Sequence, residues 1–142
     1  MATFKKFEDI EAWQLAREIS KDIFMFTERE KFYKDFRLRD QARGSVGSMM
    51  DNIAEGMGRG GNYEFILFLS YGLGSGNELK SQCYRAMDYN YITQEEFQTS
   101  YEKMNRYSKM VAGLISYLNK TDIKGEKFKN RKSNPTTENH KP

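Results

Sequence analysis

Asn52, Glu55 and Arg59 stand at i, i+3 and i+7 in a stretch that is otherwise apolar or small, Asn52-Ile53-Ala54-Glu55-Gly56. That spacing places a carboxamide, a carboxylate and a guanidinium on one side of an α-helix. Two chemistries suit such a set. Glu55 paired with an inward carboxylate on another helix, Glu78, would suggest a metal site of the di-iron kind, built from Glu-x-x-His on paired helices. The only histidine is His140, near the carboxyl end, so no metal site is expected. The other use is structural. Ile53 and Ala54 leave little room for Asn52 and Glu55 outside the packed face, so Asn52, Glu55, Arg59 and Glu78 are expected to form a partly buried polar network that fixes helix register. If Glu55 and Arg59 were only an exposed i,i+4 pair, it would be worth about 0.3–0.5 kcal/mol.

The remaining reactive groups point away from catalysis. Cys83 is the single cysteine, has no histidine within reach of its segment and falls on an apolar stripe, which suits a core residue better than a nucleophile. No Ser-His-Asp set can be assembled, so we expect no enzyme, no catalytic residue and no cofactor. Gly56-Met57-Gly58-Arg59-Gly60-Gly61 satisfies G-x-G-x-x-G, but a dinucleotide site needs a strand before that motif and another after it. A helical pattern precedes it here. The glycines therefore read as a turn between helices.

Those helices are legible as apolar stripes. Ile10, Trp13, Ala16, Ile19, Ile23 and Phe26 recur at steps of three and four, giving a helix over about 7–27. Glu28 to Asp35 lacks that period and reads as a connection whose Phe32 and Tyr33 fold back on the core. Leu38, Ala42, Val46, Met49, Met50, Ile53 and Met57 mark a second helix over about 36–58, in which Gly44 and Gly47 each cost roughly 1 kcal/mol against alanine. Close approach of a neighbouring helix is the simplest reason to tolerate them. Asn62 is placed to cap a third helix over about 62–89, with the stripe Phe65, Leu69, Gly72, Gly76, Leu79, Cys83 and Ala86. Thr93-Gln94-Glu95-Glu96 is a capping box, and Phe97, Tyr101, Met104, Ser108, Val111, Ile115 and Leu118 carry a fourth helix over about 93–119. Short connections between four such helices describe an all-α, antiparallel up-down-up-down four-helix bundle spanning residues 1–120. Residues 121–142, polar and holding both prolines, read as a disordered basic tail.

Charge follows the same division. The net charge of +3 lies entirely after Lys120, because basic and acidic residues balance from 1 to 60 and again from 61 to 120. Arg37, Arg39 and Arg43 could line phosphates from the start of the second helix, joined by Lys124, Lys127, Lys129, Arg131 and Lys132, so RNA or DNA is a candidate partner. Asp35 and Asp40 partly cancel that row. Tyr84, Tyr89, Tyr91, Tyr101 and Tyr107 could stack on bases, although tyrosines at helical spacing more often pack on helices or on a second subunit. The apolar run Phe65-Ile66-Leu67-Phe68-Leu69 is far short of the ~20 residues a bilayer span needs. With no secretory leader pattern and one cysteine, the expected compartment is the cytoplasm, without membrane contact.

Leu38-Arg39-Asp40-Gln41, Asn52-Ile53-Ala54-Glu55-Gly56 with Gly58-Arg59, Phe65 with Phe68-Leu69, Gly74-Ser75, Asn77-Glu78-Leu79 and Tyr91-Ile92 resemble the bacterial four-helix-bundle proteins encoded in 23S rRNA intervening sequences. Trp13 matches their usual first-helix tryptophan. The resemblance covers about Phe7 to Leu118. It implies a cyclic homo-oligomer, typically a pentamer, of antiparallel bundles, and the expected role is a non-enzymatic scaffold. It also implies kinship with the accessory variability protein of diversity-generating retroelements, which partners a reverse transcriptase and nucleic acid. Met50-Asp51 stands where a proline would usually precede the Asn-Ile-Ala-Glu-Gly run, which leaves a kink in the second helix open.

Overall fold

The computed structural model describes residues 4–132, with side-chain environments through Thr121. Among the described residues the chain is all-helical, without a strand. A 3-10 turn, Phe7–Asp9, leads into α1, Glu11–Thr27; a five-residue helix, α2, Glu30–Lys34, precedes α3, Phe36–Gly58; α4 is Asn62–Asp88 and α5 is Gln94–Lys132. α3 packs on α4, α4 on α5, and α1 on both α3 and α5. Contacts between ends fix the directions. Arg29, just past α1, reaches Glu96 at the start of α5; Arg85 near the end of α4 reaches Gln41 near the start of α3; Asn62 at the start of α4 reaches the Leu118 carbonyl. Neighbouring long helices therefore run antiparallel.

The stripes read from the sequence are the buried faces. Ile19, Ile23, Leu38, Met49, Ile53, Leu69, Leu79, Met104 and Val111 are essentially inaccessible. At about 25 cal/mol for each Å² of apolar surface removed from water, this layer is the main stabilising term. Tyr107 joins it at 0% exposure, which removes it from the tyrosines available for stacking.

The local signals differ in how they are realised. The capping box forms: the Thr93 amide donates to Glu96 Oε1 at 2.9 Å and the Glu96 amide donates to Thr93 Oγ1 at 3.0 Å. Gly61, rather than Asn62, is the residue before α4, and the Asn62 carboxamide instead bonds to α5. Gly60 turns the chain at φ +90°, as a left-handed position favours. The stretch read as a plain connection holds α2, because Phe32 is buried and stacked on Tyr91, and anchoring that ring stabilises one helical turn around it. Tyr33 stays half exposed. α5 continues past Asn119 to Lys132, since no proline interrupts it before Pro135. The tail expected from 121 is thus helical through 132, and its remainder, 133–142, lies outside the described residues.

Candidate functional site

Where α3 crosses α4, small residues bring the two backbones together. A Cβ added at Gly56 would stand 2.7 Å from Phe68 Cβ, and one at Gly72 would stand 2.6 Å from the Tyr107 hydroxyl. Into this seam project four polar groups. The Asn52 carboxamide donates to the Ser48 carbonyl at 2.9 Å and to Ser48 Oγ at 2.8 Å; the Ser75 hydroxyl donates to Ser48 Oγ at 2.8 Å. The Tyr107 hydroxyl donates to the Met49 carbonyl at 2.9 Å, and burial pushes its phenol well above the ordinary tyrosine range. Met49 lies in the middle of α3, so this bond ties α5 to α3.

This seam replaces the network expected from the sequence. Of Asn52, Glu55, Arg59 and Glu78, only Asn52 takes part. Glu55 and Arg59 pair with each other at 3.0 Å on the surface, about half exposed. Glu78 is exposed, with no ion pair among the described residues. The antiparallel register explains the separation. Asn52 faces Gly72, so the α4 residue opposite Glu55 lies about a turn earlier than Gly72, roughly 14 Å along the axis from Glu78. Serine carries no apolar-stripe signal, so the sequence does not single out Ser48 and Ser75, and Tyr107 stood only among the tyrosines that could stack or pack. The glycines against the Tyr107 ring, Gly72 and Gly76, were the available clue.

The arginine row is also occupied. Arg39 pairs with Asp40 at 2.8 Å, donates to the Tyr33 carbonyl and lies over the Tyr33 and Phe36 rings at 4.4 and 5.0 Å. Arg43 donates to Thr27 Oγ1 at 2.8 Å and to Glu28 at 2.7 Å, and its guanidinium covers Phe24 at 4.8 Å. Arg37 alone of the three is exposed and unpaired among the described residues. Lys124, Lys127, Lys129, Arg131 and Lys132 fall on the last turns of α5, beyond the described side chains. Cys83 is buried, and burial pushes its thiol up to about 12, far from the thiolate a nucleophile needs. Among the described residues no group of three His, Cys, Asp or Glu could hold a metal ion, and no helix is long and apolar enough to cross a membrane.

What this arrangement does chemically is hold helices in register while leaving large apolar side chains outside. Phe24, Met25, Phe36, Tyr63, Tyr71, Tyr84 and Tyr89 are each between 46 and 62% exposed. The model of the 23S rRNA-intervening sequence protein family matches residues 8–113, which takes in α1 through the first half of α5 and the whole seam. The chain belongs to that family. No curated protein matches it. Among solved structures, the family fold is seen again in a protein of unknown function from the S23 ribosomal protein family of Bacteroides thetaiotaomicron. It is 20% identical, with a TM-score of 0.67 over 73% of this chain and 97% of that one. For this member of the intervening-sequence family, the Asn-Ile-Ala-Glu-Gly run thus supplies one polar group to the interior and a surface ion pair, and Gly56 supplies the helix contact.

Proposed function

We propose that this chain is a non-enzymatic scaffold: an antiparallel up-down-up-down four-helix bundle that assembles with copies of itself into a cyclic homo-oligomer, a pentamer by family resemblance. The observation that carries this reading is the outer row of large apolar residues on a body whose charges balance. Tyr63 and Tyr71 lie on one face of α4 at 60 and 50% exposure, and half-exposed aromatics of this size are enriched at subunit contacts. Long-range repulsion would not oppose association, because basic and acidic residues match from residue 1 to 120.

An accessory protein for RNA or DNA, with or without a reverse transcriptase, is the other reading, and it has less support. Arg39 and Arg43 already spend their donors inside the molecule. Size-exclusion chromatography with light scattering tests the scaffold. The expected result is a discrete multiple of the 16.7 kDa chain at micromolar concentration. A monomer at every concentration tried would end the proposal.

A further inference from the structure

Among the described residues, the end of the molecule where α1 begins has two hollows that meet at Phe4 and Tyr117. One, about 500 Å³, lies between the start of α1 and the second half of α5, with Ile10, Met110 and Leu114 in its floor and Asp9 and Glu11 at its edge. The other, about 380 Å³, reaches the α3–α4 turn at Met57, Gly60 and Phe65. Asp9 and Glu11 are exposed and enter no ion pair among the described residues. An apolar floor edged by free carboxylates calls for an occupant with large apolar residues and an excess of positive charge.

We propose that the larger groove seats the end of α5, residues 122–132, from a second copy of this chain. This rests on the self-assembling scaffold reading and names the surfaces for one of its contacts. α5 leaves the body at this same end: it lines the groove through Tyr117 and runs on to Lys132. Residues 122–132 add roughly 17 Å of helix at 1.5 Å per residue, enough to cross a neighbouring groove. They hold five basic residues against Asp122 and Glu126, and their large apolar residues are Ile123 and Phe128. The whole excess charge of the described chain is in this segment, and the groove it leaves beside carries carboxylates. The segment cannot occupy its own groove, because α5 is one wall of it. A copy related by a two-fold axis, placed end to end, brings each α5 end alongside the other copy's groove. Such a contact is self-complementary and closes after two copies, whether these are single chains or chains of two facing rings. A nucleic-acid backbone would use the lysines, but it would leave the apolar floor uncovered and set phosphates beside Asp9 and Glu11.

The test is charge reversal with rescue, read as assembly mass by light scattering on the full chain. Asp9→Lys with Glu11→Lys is expected to halve the mass, and so is Lys124→Glu with Lys127→Glu. Combining all four substitutions is expected to restore it. Thermal melts of these variants at unchanged midpoint show that folding is intact. Oxidised mixtures of Glu11→Cys and Lys127→Cys chains are expected to give a linked pair, with buried Cys83 silent. Equal masses for parent and both reversals would refute the seat while leaving the scaffold standing. A monomeric parent would end both. Salt-sensitive RNA binding lost in Lys124→Glu with Lys127→Glu, at unchanged mass, would assign the segment to phosphate instead and overturn the proposal.

Discussion

Glu55 and Asn52 are three residues apart and do different work. Glu55 is half exposed and bonded only to Arg59, so Glu55→Ala is expected to change stability by no more than about 0.5 kcal/mol. Asn52→Ala removes both bonds to Ser48 and is expected to cost about 1 kcal/mol. Urea unfolding of the two variants checks the contrast; equal losses would return Glu55 to the interior network. The glycines divide in the same way. At Gly56 an added methyl would meet Phe68 Cβ at 2.7 Å, an atom fixed to the α4 backbone, so Gly56→Ala is expected to cost about 1–3 kcal/mol. Gly44 has nothing within 4 Å of an added Cβ, which removes the close-approach explanation for it and for Gly47. Gly44→Ala is expected to gain about 0.5–1 kcal/mol by helix propensity alone, and a loss on thermal melting would show that a partner helix covers it.

At the scale of elements, the start of α5 is the joint that ties the chain's middle to its beginning. Glu96 accepts from the Thr93 amide and also pairs with Arg29, whose guanidinium reaches it at 2.8 Å. The bond from Arg29 chiefly, with the cap, holds the Glu96 carboxyl down at about 2 against its burial. Because the folded value is depressed, this contribution is complete above pH 4.5, the ordinary carboxyl value, and is lost as pH falls from there through about 2. Denaturation midpoints between neutral and strongly acid pH are expected to fall less steeply in Glu96→Gln than in the parent over that window. Thr93→Ala leaves the Arg29 pair in place and opens only the cap, at about 1 kcal/mol. The end of α4, the start of α5 and the cap were readable from the sequence, since they depend on residues within one turn. α2 was not, because five residues cannot hold a helix without the Phe32–Tyr91 stack, a contact between residues far apart in the chain.

For the whole molecule, the deciding property is what its outer surface meets. Tyr63→Ser combined with Tyr71→Ser removes two half-exposed rings from α4 without touching the core. The expected outcome is reduced assembly mass by light scattering with a chain that still melts cooperatively; unchanged mass would move the lateral contact to another face. The sequence by itself determined the four long helices except the far end of α5, their buried stripes, the turn at the glycine cluster and the family, because each is written in local periodicity or in a contiguous motif. Only the tertiary structure decided which polar groups enter the core. Ser48 meets Ser75, and Tyr107 meets the Met49 carbonyl, because Gly72 and Gly76 admit the tyrosine ring between α3 and α4. That packing sets the antiparallel register, and the register puts Glu55 and Glu78 too far apart along the helix axis to share a site.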